Sequence, residues 1–238
     1  MADGIYVSMC GAVARAEQLD AIADNLANAQ TPGFKAARPA FESFMGKGLE
    51  AAQDKHYPAA VATGFDLRPG PTSQTGNPLD VIPGDGLFLT VRTAGGATAY
   101  TRDGRLTLDA DGRLTTGGRP VLDRTGQPIV VPPDQPIRID STGKVLAGEE
   151  EVAELGLAGL AGPVDRVGPA LLAPGTGGRV LPCTQGSVRI GEIELGNASA
   201  LEATVQMVTA QRNYDASMTA IQTYQKLDQR AVEVARVR

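Results

Sequence analysis

Residues 197–238 read NASALEATVQMVTAQRNYDASMTAIQTYQKLDQRAVEVARVR and contain neither glycine nor proline. Such an unbroken stretch is typical of a long helix, and Ser199 followed by Glu202 has the form of a capping box that opens one. Apolar residues then recur at steps of three, four or seven: Met207, Tyr214, Met218, Ile221, Tyr224, Leu227, Ala231 and Val234. A helix of about 37 residues would be roughly 55 Å long, more than a compact domain of this size. We therefore expect it to need a partner along its length.

The distribution of glycine divides the rest of the chain. Residues 64–196 hold 24 of the 29 glycines, a density that is typical of short strands joined by turns. A hairpin is predicted where polar and apolar residues alternate over 105–108, the chain turns at residues 109–112, and a second strand follows through Leu114. Many short strands without an intervening helix favour an antiparallel, sandwich- or barrel-like body.

A second helix is predicted at the start of the chain. Its apolar residues alternate at steps of four and three: Ile5, Met9, Ala12, Ala16, Leu19, Ala23 and Leu26. That spacing is the heptad seam by which one helix packs along another. Because several positions are alanine, which buries little area, we expect this helix to be marginal until neighbours cover it. It should end near Asn28, since Thr31, Pro32 and Gly33 cannot continue a helix.

These patterns together predict an α+β fold, in which long N- and C-terminal helices pair as a coiled-coil-like domain beside a central antiparallel β-rich body. We expect residues 1–35 and 197–238 to form a helical terminal assembly domain, residues 36–63 a linker, and residues 64–196 the body. Cys10 and Cys183 lie far apart in the sequence. We interpret them as two free thiols packed as small apolar groups.

The sequence offers little material for catalysis or for holding a cofactor. His56 is the one histidine, and it lies in a polar stretch, a poor source of the base that a serine or cysteine nucleophile needs. Asp109, Asp111 and Gly112 resemble part of a calcium loop without its distal glutamate, and a hairpin turn explains them better. The glycine clusters at 84–86 and 175–178 lack the lysine of a phosphate loop. We therefore expect no catalytic residue, no cofactor and no metal ion.

Charge and hydropathy limit the expected partners. The formal net charge is −5 and there is no basic run, so nucleic acid is not an expected partner. No stretch approaches the roughly 18 apolar residues of a membrane span, and the start of the chain lacks the basic and apolar blocks of a cleaved signal peptide. By these rules alone we expect the protein in the cytoplasm.

Motifs at both ends of the chain and in its body resemble those of one family, the bacterial flagellar rod and hook proteins. Residues 23–35, ADNLANAQTPGFK, are similar to its N-terminal signature A-N-N-L-A-N followed by T-x-G-F, with Asp24 as the departure. Residues 75–88 and 99–114 are similar to the opening of its β body. Residues 207–215, MVTAQRNYD, are similar to its C-terminal signature around Q-R-x-Y-E.

The resemblance implies a structural subunit of the flagellar basal-body rod that polymerises axially through its terminal helices and is not an enzyme. The implied partners are copies of itself, neighbouring rod subunits and the flagellar export apparatus, without nucleic acid or membrane insertion. The implied location is the basal body, periplasmic after export without a cleaved signal peptide, and it replaces the cytoplasmic expectation. Residues 125–132, TGQPIVVP, are more similar to proximal than to distal rod proteins.

Packing is then expected to carry the function. We assign inter-helix and inter-subunit contacts to Leu19, Ile22, Leu26, Met207, Tyr214, Met218, Ile221 and Leu227. The family motif comprises Asn25, Leu26, Asn28, Thr31, Gly33 and Phe34 at the end of the first helix, and Gln211, Arg212 and Tyr214 in the last one. Two alternatives stay open: a distal rod or hook-type subunit of the same family, and a β-domain enzyme or binding module on an oligomerising stalk.

Overall fold

A computed structural model describes residues 2–45, 56–132, 135–183 and 186–236, with side chains for residues 8–38, 64–132, 135–183, 186–227 and 229–230. Within these ranges the helices are α1 (Ala2–Ala27) and α2 (Ala200–Arg236). The strands between them are β1 (Ala37–Met45), β2 (His56–Phe65), β3 (Thr72–Gln74), β4 (Val81–Pro83), β5 (Leu87–Arg92), β6 (Thr98–Thr101), β7 (Leu106–Leu108), β8 (Leu114–Thr116), β9 (Arg119–Pro120), β10 (Ile137–Ile139), β11 (Lys144–Ala147), β12 (Glu150–Glu154), β13 (Leu157–Ala161), β14 (Val164–Gly168), β15 (Leu171–Pro174), β16 (Arg179–Pro182), β17 (Val188–Ile190) and β18 (Glu192–Glu194).

The chain forms two compact units, and each is built from separate stretches of sequence. Unit 1 contains Met1–Ala27, Ala37–Gly64 and Ser199–Arg238, and therefore holds both helices and the two-stranded sheet β1–β2. Unit 2 contains Asn28–Ala36 and Phe65–Ala198, and therefore holds strands β3 to β18. Residues 36–63, expected as a linker, thus contain β1 and most of β2.

The helices of unit 1 pair in antiparallel directions. Ile22, near the end of α1, packs with Ala203 and Ala210 near the start of α2, and Leu19, Leu26 and Met207 surround them. Further along, a Cβ atom built on Gly11 would lie 3.9 Å from the Ser217 hydroxyl. Small residues at these contacts allow the helix axes to approach closely, but they bury little apolar area.

The expected fold class, an α+β fold whose terminal helices pair as a coiled-coil-like domain, is wrong as stated. The described chain has two helices and a β-rich body, and the buried residues of α1 follow the expected seam only in part. Met9 is 51% exposed and Ala23 is exposed, although both belong to that seam, whereas Ala14 and Asn25 are buried outside it. The side chain of Ile5, the first seam residue, lies outside the described residues.

The cause of this error is a second neighbour of α1. The Asn25 side chain turns to β1, where its Nδ2 donates to the Ala37 carbonyl and its Oδ1 accepts from the Ala37 amide, both at 2.8 Å. A helix covered by a partner helix on one side and by a strand on another buries two faces. Its pattern of buried residues therefore departs from the single stripe that a coiled coil requires.

Unit 2 is an assembly of antiparallel sheets. The largest has six strands in the order β14-β15-β6-β5-β13-β16, and two three-stranded sheets have the orders β10-β11-β12 and β7-β8-β9. Two further pairs, β17-β4 and β18-β3, join the last strands of the unit to its first ones. Its main core consists of buried apolar residues from most of these strands, among them Val81, Leu89, Leu114, Val145 and Leu155.

One five-residue turn recurs three times in unit 2. It begins at Asp109, Asp123 and Asp140, and each time the Oδ1 atom of the aspartate accepts hydrogen bonds from the amides two and four residues later, at 2.8 to 3.0 Å. The fourth residue is a glycine with positive φ in all three turns, a conformation that other residues adopt at a cost. The aspartate therefore replaces missing backbone partners at these three hairpin ends.

Candidate functional site

The second part of the N-terminal signature, residues 28–35, belongs to the β-rich unit and follows the end of α1. Thr31 donates its amide to the Asn28 carbonyl and its hydroxyl to the Asn28 side chain, which closes a turn directly after α1. Gly33 follows with φ +71°, and a Cβ atom built there would lie 2.1 Å from the Asp103 amide nitrogen. A glycine is required because any side chain would collide with this backbone. Phe34, the next residue, is fully buried.

Three passages of the chain lie side by side at this point, residues 33–36, 65–70 and 194–197, and we call them the junction. Gly33 donates its amide to the Glu194 carbonyl at 2.8 Å, and the Asn197 amide donates to the Phe34 carbonyl at 3.2 Å. On the other side, the Asp66 amide donates to the Ala36 carbonyl at 2.9 Å. The chain passes from one unit to the other after residues 27, 36, 64 and 198. The three junction segments are thus next to the places where the chain enters and leaves unit 2.

A buried ion cluster lies at the centre of the junction. The Glu194 carboxylate accepts from Lys35 Nζ through Oε1 at 2.6 Å and from Arg102 Nε through Oε2 at 2.5 Å. The Gly70 amide donates to Oε1 at 3.0 Å. All three charged side chains are at most 2% exposed. Two cations therefore share one anion in a region that water does not reach, and each depends on the others for its charge to be tolerated.

Backbone carbonyls accept the hydrogen bonds that Arg102 and Lys35 do not donate to Glu194. Arg102 donates through its guanidinium to the carbonyls of Pro83, Gly84 and Leu87, at 3.0, 3.1 and 2.6 Å. Lys35 Nζ donates to the Arg68 carbonyl at 2.7 Å. The cluster thus joins the N-terminal signature segment and β18 to the loop that leads from β4 to β5, and it fixes their relative positions.

Burial and hydrogen bonding have opposite effects on the pKa of Lys35, and also on the pKa of Glu194. Burial lowers the pKa of Lys35, although the hydrogen bond and the charge of Glu194 oppose this change. Burial also disfavours the charged form of Glu194, but hydrogen bonds from Lys35 and Gly70 and the charge of Arg102 outweigh it, so that the pKa of Glu194 lies below its usual value. Glu194 is therefore an ionised carboxylate at neutral pH.

Arg166 on β14 also contacts the junction. Its guanidinium lies 4.4 Å from the ring centroid of Phe34 and 4.8 Å from that of Phe65, and it donates a hydrogen bond to the Lys35 carbonyl. A guanidinium between two aromatic faces is a cation–π arrangement that also covers apolar surface. One side chain from β14 therefore contacts two of the three junction segments.

Asn197 connects the same segments through its amide group. Its Oδ1 accepts from the Ala36 amide at 2.7 Å, and its Nδ2 donates to the carbonyls of Asp66 and Arg68 at 2.7 and 3.0 Å. The four residues Lys35, Arg166, Glu194 and Asn197 were not among the predicted site residues. Lys35 occurs in the signature motif, but nothing in the spacing of residues 35, 102 and 194 indicates that they meet.

The structure distributes the predicted contact residues over both faces of the helices. Ile22 is buried in the helix pair, and Leu19, Leu26 and Met207 are half-buried against it. Tyr214 and Ile221, further along α2, are also half-buried. Met218 and Leu227 are exposed, as are Gln211 and Arg212 of the C-terminal motif. Asn25 contacts β1, and Asn28, Thr31, Gly33 and Phe34 belong to unit 2.

One face of α2 carries apolar residues that the described part of the chain leaves exposed. Leu201, Val205 and Val208 are 79%, 60% and 47% exposed. Their spacing of four and three places them on one face, and a step of two residues, about 200°, separates Leu201 from the buried Ala203. We call these three residues the outer stripe. It lies opposite the face that packs on α1.

Within the described ranges, no three histidine, cysteine, aspartate or glutamate residues are grouped so that they could hold a metal ion. Neither α1 nor α2, over the residues described, has the length and apolar character of a membrane-crossing helix. The His56 side chain lies outside the described residues.

Three family models match the chain in succession. They are described as flagella basal body rod protein, over residues 5–35, flagellar hook protein FlgE/F/G D1 domain, over residues 81–147, and flagellar basal body rod FlgEFG protein C-terminal, over residues 191–234. The matched segments include Lys35, Arg102 and Glu194, one in each. The ion cluster of the junction therefore joins the three matched segments.

Individual relatives are similar to the chain over different lengths. The flagellar basal-body rod protein FlgF of Mesorhizobium japonicum is 38% identical over 45% of this chain and 44% of the relative, so this alignment spans less than half of the relative's length. FlgF of Caulobacter vibrioides is 29% identical over 98% of both chains. The flagellar basal-body rod protein FlgG of Borreliella burgdorferi is 29% identical over 94% of this chain and 95% of the relative.

Proposed function

Because the chain belongs to the flagellar basal-body rod protein family, we propose that it is a structural subunit of the basal-body rod, of the FlgF type, and that it assembles axially through its terminal helices. The observation that carries this proposal is the order of the three family matches, which include both termini and the body. The role needs no catalytic group. It places the protein in the basal body, with other rod subunits as its partners.

The outer stripe supports assembly through α2. Its three side chains expose apolar area on successive turns of a helix whose other face is already occupied by α1. Burying one such side chain against a neighbour contributes about 1.5–3 kcal/mol. Open contacts of this kind between like subunits generate helical assemblies. Of the predicted contact residues, Met218 and Leu227 are also exposed and available to a neighbour, whereas Ile22 stabilises the subunit's own helix pair.

Export precedes assembly in this proposal, and the flagellar export apparatus is the partner at that stage. Unit 1 supports this order of events. Its described helix core consists of one isoleucine and two alanines with three half-buried neighbours. Unfolding this unit for passage through the export apparatus would therefore expose little apolar area. Neighbouring subunits would then supply the missing area after export.

The experiment that tests the proposal changes the outer stripe without disturbing the fold. Val205→Glu places a charge on an exposed position of α2, and Asn213→Glu places the same charge on an exposed position outside the stripe. In a strain that lacks the native gene, we expect Val205→Glu to be exported but missing from purified basal bodies, with loss of motility. Asn213→Glu should be incorporated. Incorporation of both variants at the native level would overturn the proposed assembly surface.

A further inference from the structure

The backbone hydrogen bonds of the junction run between two segments that point in the same direction. Gly33 pairs with Glu194, and Phe34, one residue further, pairs with Asn197. The side chain of Asn197 then accepts from Ala36. Residue numbers rise together along both segments, so residues 33–36 and 194–197 are parallel. This direction follows from the contacts within unit 2 alone.

The direction decides how the junction responds to tension along the chain. One segment is connected towards α1 at its N-terminal end, and the other towards α2 at its C-terminal end. In a parallel pair these two ends lie at opposite ends of the pair. Pulling the helices apart therefore slides one segment along the other and loads all their connections at once. Antiparallel segments pulled in the same way would separate one bond at a time.

The side chains oppose this sliding motion. Lys35 and Glu194 form a buried ion pair across the two segments, and Arg102 holds the same carboxylate from the unit core. Arg166 holds the Phe34 ring and the Lys35 carbonyl. Any displacement along the chain direction separates charges in a region of low dielectric constant, where their attraction is strong.

We infer that the junction is a shear clamp, in which residues 33–36 and 194–197, joined by the Lys35–Glu194–Arg102 cluster, bear mechanical tension between the two ends of the chain. The proposed function does not include this property, because a subunit can assemble without resisting force. Failure of the clamp in the test below would leave the assembly role untouched.

The test uses the full chain, held by handles at its N- and C-termini in a force-clamp instrument. Glu194→Gln removes the negative charge of the cluster with little change of shape. Leu114→Ala is the control, because Leu114 is buried in the main core, which contains no residue of the junction. Forced unfolding measures the unfolding rate. Denaturant unfolding first gives the loss of equilibrium stability in each variant, and the unfolding rate at constant force is corrected for that loss. We expect the corrected rate to rise at least tenfold more for Glu194→Gln than for Leu114→Ala. A factor of ten corresponds to about 1.4 kcal/mol of barrier.

A second variant keeps the test decisive if Glu194→Gln does not fold. Asn197→Ala removes the amide bridge to Ala36 and Asp66 without leaving a buried charge unpaired. It should also accelerate unfolding under force more than its equilibrium stability explains. The clamp is overturned if the junction variants and Leu114→Ala accelerate forced unfolding in the same proportion to their equilibrium losses.

A change of pulling direction gives an independent control. In a chain with Cys10→Ser and Cys183→Ser, one handle would be placed on Ala94→Cys, in the exposed turn between β5 and β6, and the other on Thr176→Cys, in the exposed turn between β15 and β16. Residues 33–36 and 194–197 then both lie outside the stretch of chain between the handles. The clamp predicts that Glu194→Gln then has the same effect on forced unfolding as Leu114→Ala at equal stability. An excess effect of Glu194→Gln in this direction would also contradict it.

Discussion

Glu194 is the residue on which the junction depends, because its carboxylate contacts two buried cations, Lys35 and Arg102. Neutralising it leaves Lys35 and Arg102 in a site that is closed to water, with their carbonyl contacts as the remaining compensation. Buried ion pairs add little stability compared with apolar residues of the same shape, but removing one partner is strongly destabilising. The ion cluster therefore favours a single arrangement of the three segments more than it adds to overall stability.

We predict that Glu194→Gln lowers the free energy of unfolding of unit 2 by about 3–5 kcal/mol. The matched control is Glu151→Gln, since Glu151 forms an exposed ion pair with Lys144 at 2.7 Å and such pairs contribute about 0–1 kcal/mol. Urea denaturation of both variants measures the difference. Equal losses in the two variants would contradict the role assigned to the buried cluster.

The pH dependence of stability follows from the same carboxylate. The pKa of Glu194 is lower in the folded chain than in the unfolded one, so its contribution is complete above the usual glutamate value of about 4.3 and is lost as the pH falls through the folded value. The pKa values of Asp109, Asp123 and Asp140 are lowered too, by the hydrogen bonds that their turns donate. Lowering the pH therefore removes a stabilising contribution from each of these four carboxyl groups.

We predict that unit 2 loses stability steadily as the pH is lowered from 5 to about 2, in the range set by these lowered carboxyl pKa values. Denaturant unfolding at a series of pH values measures it. Glu194→Gln should show a smaller loss than the native chain over this range, because one of the titrating groups is gone. A variant with the same slope as the native chain would show that Glu194 is not among them.

At the scale of elements, the long helix was predictable and the first strands were not. The α2 helix begins at Ala200 with Ser199 Oγ accepting from the Glu202 amide at 3.3 Å, which confirms half of the expected capping box. Absence of glycine and proline indicated its length directly. β1 and β2 were missed because Pro39, Pro58 and the nearby glycines Gly46 and Gly48 suggest irregular backbone.

The turn after α1 gives a prediction at this scale. A non-glycine residue with this positive φ costs about 1–3 kcal/mol. Gly33→Ala should lower the free energy of unfolding of unit 2 by more than that, because the new Cβ would also collide with the backbone of Asp103. Gly96→Ala is the control: its φ is also positive, at +80°, but nothing lies within 4 Å of the new Cβ.

Thermal unfolding of the two variants, read by the melting temperature, separates the collision from the backbone strain. We expect a clearly larger drop for Gly33→Ala. If both variants melt at the same temperature, residues 33–36 do not pack on the unit as described.

At the scale of the whole molecule, the two units differ in how they are stabilised. Unit 2 has a main core of buried apolar residues from many strands, whereas the described helix core of unit 1 is small and rich in alanine. The sequence indicated this contrast, because the first helix showed alanine at several seam positions. It could not indicate the junction, since Lys35 and Glu194 are 159 residues apart and only the sheet topology brings them together.

We predict that hydrogen exchange in the free chain is faster in α1 and α2 than in β5, β6 and β13 of the central sheet. Local opening is easiest where few apolar contacts hold an element. Exchange measured residue by residue by NMR tests this expectation. Equal protection of helices and sheet would mean that unit 1 is preformed and does not wait for neighbours.

The closeness of Asp66 and Asn197, which touch through a 2.7 Å hydrogen bond, has a consequence for how such a chain can change over evolutionary time. The stretch of chain between these two residues therefore begins and ends at the same place in the structure. Domains with adjacent ends are those that tolerate exchange and insertion. A body of another length could be grafted between the same two residues if it also supplied partners for Gly33 and Lys35, because Asp103 and Glu194 lie within the replaced stretch.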